Sequence, residues 1–345
     1  MEQKRENEKR KPMPSTREVI GFVCFLLALG LFLTAATAVL LPKRHEYGAV
    51  WGMYEKEPKN SAQVMFFGTS LAYCDIVPAI LYEQSGVTSF VMAGPLQPFS
   101  VTYGYLREAC KTQSPQTVFI EVTGLALARD ENSVKANLTF MPRSADWLRL
   151  VFEETEGDDR AGLLFPLYAY HDRWSSLNAR DWREGLLGYN PDPLAGYMFL
   201  SDTEPVEGFS VRENTTDEHY ESDISWLEKM LGFCREEGVR PVFFISPAPQ
   251  RLSDDWLGRL EEDFAAAGAE LVDFNDDFDA MGFDLSADFY DPRHLNFRGA
   301  EKFSRYLAER LSAWDVSPSG DEDVTLWQER IDYFHALAAK QEGAK

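Results

Sequence analysis

Ser70, Asp291 and His294 are the residues of this chain whose types and spacing could do chemistry. A serine hydroxyl is a weak nucleophile until a base removes its proton, and the base needs an acidic group to fix its tautomer and stabilise its cation. Ser70 stands in Phe67-Gly68-Thr69-Ser70-Leu71, directly after an apolar run. Asp291 and His294 stand three apart in Asp288-Phe289-Tyr290-Asp291-Pro292-Arg293-His294-Leu295-Asn296, ahead of an amphipathic stretch that continues to Leu311. Among His45, His171, His219, His294 and His335, only His294 combines an acid three positions earlier with a place just before a terminal helix. Each half alone has a plain reading, since Gly-Thr-Ser is a common turn and helix-cap string. Together they form a candidate nucleophile and base.

Apolar runs at Val64–Gly68, 89–94, 117–122, 241–245 and 269–274 have the length and continuity of strands buried on both faces of a parallel sheet. Helical spacing over 76–84, 100–112, 217–237 and 254–267 alternates with them, and Gly86, Gly238 and Gly268 sit where helices should stop. Alternation of this kind predicts a doubly wound parallel α/β sheet. Ser70 then lies at the carboxyl end of the first strand, where open α/β sheets place ligands. Between Gly124 and Thr216 the rhythm fails, and that segment, 124–216, reads as an insertion after the third strand. Insertions of this length often serve as lids or binding elements. Its aromatic stretch around His171, Arg173 and Trp174 is a candidate substrate-side element, or else a packed aromatic insertion.

Val19–Leu41 carries no charged residue and spans roughly 34 Å as a helix, enough to cross a bilayer. Lys4, Arg5, Lys9, Arg10, Lys11 and Arg17 precede it, while only Lys43 and Arg44 follow closely, which predicts a cytoplasmic N-terminus and an outer domain. A cleaved signal peptide ending at Ala36-Thr37-Ala38 is the alternative, although signal cores are usually shorter. The divisions expected are a basic segment 1–18, the span 19–41, a stalk 42–60, an α/β domain 61–312 and a linker with a docking helix 313–345. Trp327, Ile331, Phe334 and Leu337 share one face of that last helix, for packing on the domain itself or on a partner. The formal charge of −22 lies almost wholly in the outer part and argues against nucleic acid or an anionic surface as an electrostatic partner. Of the four cysteines, Cys24 lies in the span, so Cys74, Cys110 and Cys234 cannot all pair within the chain; their spacing is neither a disulfide framework nor a metal site. Asn137-Leu138-Thr139 and Asn214-Thr215-Thr216 match glycosylation triplets.

The short Gly-x-Ser after strand one, a glycine at Gly94 after strand two, and Asp-x-x-His-Leu-Asn before the last helix resemble the SGNH (GDSL-type) hydrolase superfamily, over roughly Ser61 to Leu311. That resemblance implies a flavodoxin-like fold, no cofactor and no metal. It makes Ser70 the nucleophile, His294 the general base and acid, and Asp291 its orienting acid. The amides of Ser70 and Gly94 become candidate oxyanion-hole donors. Two positions depart from the pattern: Thr69 replaces the usual aspartate of Gly-Asp-Ser, and Glu121-Val122-Thr123-Gly124 replaces Gly-x-Asn-Asp after strand three. The side-chain amide of the oxyanion hole is therefore missing, with Thr123 or a residue from the insertion as its substitute. With the N-terminal anchor, these departures make the chain more similar to the membrane-attached branch that includes D-alanyl-lipoteichoic acid transfer (DltD) and alginate O-acetylation proteins. Such proteins work beside a membrane-bound O-acyltransferase on cell-surface polymers.

Three functions are expected from this resemblance. The first is acyl transfer, in which Ser70 accepts an acetyl or D-alanyl type group from an acyl carrier or membrane-bound O-acyltransferase and passes it to a glycan or teichoic-type polymer. The second is a carbohydrate deacetylase using the same residues. The third is a non-catalytic glycan-binding scaffold in a membrane acylation complex.

Overall fold

The computed structural model describes residues 15–43, 50–318, 320 and 323–343. They fall into two units, one joining the N-terminal helix to Phe165–Gly188, the other holding the rest.

The larger unit is built on parallel strands. β1 (Val64–Gly68), β2 (Ser89–Ala93), β3 (Thr117–Glu121), β5 (Arg240–Ile245) and β7 (Leu271–Asp273) form one sheet in the order β2-β1-β3-β5-β7, with every pairing parallel. β4 (Ser210–Val211) and β6 (Gln250–Arg251) make a separate two-stranded ribbon. Side chains along the main strands alternate between two buried clusters, as a two-residue period requires. Met65, Phe67, Phe90, Met92, Val118, Ile120, Phe243 and Ile245 face one cluster, which the helices Phe99–Ala109, Trp226–Glu237 and Asp254–Ala266 cover. Val64, Phe66, Val91, Phe119, Val242 and Phe244 face the other, which the helices Pro78–Ser85 and Phe297–Ala308 cover. The sheet is thus wound on both faces, and its order reverses between β1 and β3. That reversal is where ligands gather in folds of this class.

The strands lie within a residue or two of the runs that foretell them, and Gly86 and Gly238 end helices in the left-handed conformation. Two regions differ from expectation. Of the expected stalk 42–60, positions 44–49 lie outside the described residues, but Trp51–Tyr54 is a buried helical turn. There Trp51 packs edge-on against Tyr105, and the Tyr54 hydroxyl donates to Ala109 O at 2.9 Å. The insertion is mostly helical over Glu131–Phe140, Ala145–Glu154 and Gly157–Leu164, and Asp130 and Ser144 cap the first two of these helices. The helix Val324–Gly343 packs Trp327, Ile331 and Phe334 on the domain's own core, and buried Arg330 pairs with Glu57.

In the smaller unit the helix Thr16–Leu40 begins on a capping box between Ser15 and Glu18 and is long and apolar enough to cross a membrane. Of the basic segment expected over 1–18, positions 1–14 lie outside the described residues. The helices Pro166–Tyr170 and Ala179–Leu187, joined by a 3-10 turn His171–Ser176, lie against the helix's last turns. Gly185 is needed there, because a Cβ at that position would meet Val39 Cα at 2.7 Å.

Candidate active site

Gly68 ends β1 with φ of +125°, and a Cβ there would fall 2.7 Å from Glu121 O, so only glycine lets the chain turn off the sheet this close to β3. The turn delivers Thr69 as N-cap, its side chain accepting from Leu71 N, and Ser70 as first residue of the helix Ser70–Asp75. At that position the helix offers the Ser70 N–H no acceptor of its own.

The partner loop is fixed from several sides. Tyr290 N donates to His294 O, and Asn296 N to Asp288 O, which folds 288–296 back on itself. Asn296 caps the helix Phe297–Ala308 through Arg298 N and Gly299 N. Glycine is again required at 299, where a Cβ would lie 2.2 Å from Asp288 O. Between these anchors, Ser70 Oγ lies 2.9 Å from His294 Nε2, and His294 Nδ1 lies 2.9 and 3.1 Å from the two oxygens of Asp291. Asp291 also accepts from the backbone amides of His294 (3.0 Å) and Arg293 (2.7 Å). Burial pushes its acidity weaker, but the hydrogen bonds and charge of His294 and Arg293 outweigh that and hold the carboxyl far below the usual carboxylate range. The structure brings the three sequence-derived residues into one hydrogen-bonded chain.

Two further residues hold that chain in place, and the sequence gives no direct sign of them. Asp75, five residues beyond Ser70, is fully buried. It accepts from Leu295 N at 3.0 Å and from Ser246 Oγ at 2.6 Å, tying the serine helix to the histidine loop and to the end of β5. Burial, opposed in part by these two donors, raises its pKa well above that of an ordinary aspartate. Glu121 accepts from Thr69 Oγ1 at 2.5 Å and from Thr123 N at 2.7 Å, so the two departures from the family pattern, Thr69 and Glu121, bond to each other. Burial raises Glu121 as well, against the lowering influence of Thr123, Thr69 and Arg212.

The expected oxyanion side differs from what the resemblance implies. The Gly94 amide donates to Gly68 O at 3.1 Å and continues the β1–β2 ladder, which removes it as an oxyanion donor. The Thr123 amide is likewise committed to Glu121, and the buried Thr123 side chain has only the same carboxyl beside it among the described residues. Thr123 lines a narrow cleft together with Leu71, Arg212, Ser246, Arg251 and Arg293 among others. Arg212 is 6% exposed, its Nε has no partner, and burial weakens its hold on its proton while Glu121 strengthens it. The small ribbon puts it there: Arg212 N donates to Arg251 O, and Gln250 N donates to Pro292 O in the histidine loop. Sequence reasoning missed Arg212, because a two-residue exposed strand leaves no periodic trace.

Asn137 is fully buried beneath Gly94, with its side chain bonded to Gln97, Pro95 O and Ser133 O, which excludes a glycan on the folded chain at that triplet. His171, Arg173 and Trp174 belong to the smaller unit, and the described contacts of His171 and Arg173 stay within it. His171 Nδ1 lies 3.0 Å from Tyr168 O, while Arg173 bonds Leu40 O and Asp181. The four cysteines are free thiols. No protein-family model matches the chain, and no curated protein matches it.

Proposed function

We propose that this chain is a membrane-anchored serine acyl-transfer enzyme of the SGNH type, with a flavodoxin-like fold, a cytoplasmic N-terminus and its catalytic domain outside. Its substrates are ester-linked acyl groups of a cell-surface glycan or teichoic-type polymer. The observation that carries the reading is the continuous chain from Ser70 Oγ through His294 to Asp291.

In the first half-reaction His294 Nε2 takes the Ser70 proton as Oγ attacks the acyl carbonyl, and Asp291 stabilises the resulting imidazolium. The carbonyl oxygen gains negative charge. The Ser70 N–H, the Thr123 hydroxyl and Arg212 are the donors that meet it, Arg212 standing in for the missing asparagine amide. The leaving alcohol then takes the proton from His294 and leaves an ester on Ser70. In the second half an acceptor hydroxyl gives its proton to His294, attacks that ester and restores the serine. Water in place of the sugar makes the same machinery an esterase.

Intact protein in detergent micelles, incubated with a fluorophosphonate, is expected to gain one phosphonyl group on Ser70, and Ser70→Ala to gain none. With an acetyl ester donor and unacylated oligosaccharides, transfer is read as acetylated sugar and hydrolysis as free acetate. Folded protein that leaves Ser70 unmodified would sink the catalytic reading and favour a scaffold. Acetate with no acetylated sugar would reduce the function to a deacetylase.

A further inference from the structure

The segment Phe165–Gly188 has a surface that the proposed chemistry does not use. Phe165 (69% exposed), Tyr168, Trp174 (72%), Trp182, Leu186 and Leu187 (79%) are all turned outward. Six large apolar side chains within two dozen residues exceed the scattered exposure of an ordinary surface. The helix they flank supplies the reason. Gly185 closes on Val39, and Arg173 bonds the free carbonyl of Leu40; Lys43 bonds those of Ala38 and Leu41. These contacts fall where the apolar run of Thr16–Leu40 ends, at the depth where a spanning helix leaves the hydrocarbon.

We infer that Phe165–Gly188 is a foot seated in the lipid interface around the exit of the membrane helix, its aromatic and leucine side chains entering the boundary between headgroups and acyl chains. Tryptophan and tyrosine favour that layer because an apolar ring and a polar N–H or O–H are both satisfied there. The inference rests on the anchor reading of Thr16–Leu40. Charge does not drive it: Arg173, Arg180 and Arg183 are offset by Asp172, Asp181 and Glu184, and these arginines are bonded to Asp181 or Glu184. Apolar insertion is therefore the attractive force, and it should not require anionic lipid.

The test uses full-length protein reconstituted in vesicles of phosphatidylcholine carrying bromines near the top of the acyl chains, beside Trp174→Phe, Trp182→Phe and the double variant. Bromines quench tryptophans in contact with them, and the remaining six of the eight tryptophans serve as an internal reference. The wild type is expected to show lipid quenching that each single variant reduces and the double variant abolishes, to the same extent with or without added phosphatidylglycerol. Flotation of the vesicles on a density gradient separates the two readings. Protein that fails to float defeats the anchor itself. Protein that floats, with the same quenching in wild type and double variant, overturns the foot and leaves the face to a membrane-protein partner.

Discussion

The two sides of the candidate site are built in opposite ways. On the nucleophile side the side chains are partnered: Ser70, His294 and Asp291 bond in sequence, two backbone amides complete Asp291, and Asp75 braces the loop from beneath. On the carbonyl side the donors are idle. Among the described residues Arg212 Nε is buried without a partner, and the Thr123 hydroxyl has only Glu121 beside it. A buried unpaired donor costs on the order of 1 to 3 kcal/mol, so folding selects the first arrangement unaided, while the second makes sense as a place for an oxygen the protein does not itself supply. The nucleophile side is complete in the resting protein, and on the proposed reading the carbonyl side is completed by substrate.

The largest effect tests the first side. Asp291→Asn keeps the size of the side chain but offers His294 Nδ1 no anion, so the imidazole loses both its tautomer preference and the stabilisation of its cation. The acyl-transfer rate is expected to fall about 10⁴-fold, equivalent to about 5.5 kcal/mol, with the thermal unfolding temperature also lowered at neutral pH, where the ionised Asp291 contributes stability. A loss of tenfold or less in steady-state assays would mean that Asp291 is only a loop brace.

Next come the idle donors. Thr123→Val removes the hydroxyl, preserves the shape and leaves the amide free to bond Glu121; Arg212→Met removes the guanidinium. Each is expected to lower kcat by about 10² to 10³, with KM for a small ester little altered, since charge builds on the oxygen only in the transition state. Arg212→Lys should recover part of the loss, as it keeps charge without the planar fork. If both variants turn over like the wild type, the idle donors bind something other than the acyl oxygen, and the contrast between the two sides loses its meaning.

The same contrast explains what could be read from the sequence. The sheet is legible because five apolar runs alternate two faces, and both faces are buried. The triad is legible because its members sit at strand and helix junctions with short local signatures, Gly68-Thr69-Ser70 and Asp291 to Asn296. The carbonyl side is illegible for the converse reason. Arg212 arrives from far along the chain on a two-residue ribbon, and Gly94, which looked like a donor, spends its amide on Gly68. Val50–Tyr54 read as a stalk because burial of Trp51 against Tyr105 is a tertiary contact with no periodic trace. The insertion's helices are short, and their caps, Asp130 and Ser144, are evident once apolar spacing is sought over ten residues rather than twenty.

The smallest effect concerns the brace beneath the triad, and it appears in pH dependence rather than in rate. Asp75, fully buried, and Asp291, partly buried, are both carboxyls of the nucleophile side, yet their acidities move in opposite directions. Asp291 binds protons more weakly folded than unfolded. Its stabilising contribution is therefore present above the ordinary aspartate value of about 4 and is lost as pH falls toward its lowered value. Asp75 binds its proton more tightly when folded, so its contribution is complete below about 4 and is lost as pH rises through its raised value. Asp75→Asn can still accept from Leu295 N through its carbonyl and donate to Ser246 Oγ through its amide, so activity should fall less than about tenfold. Urea midpoints across pH should then separate the pair, with Asp75→Asn losing less stability than the wild type on going alkaline and Asp291→Asn losing less on going acid. An Asp75→Asn profile parallel to the wild type on the alkaline side would show that Asp75 is already ionised in the folded protein. The brace would then be a buried anion held by Ser246 and Leu295, and the loop carrying His294 would be anchored by charge rather than by a neutral hydrogen bond.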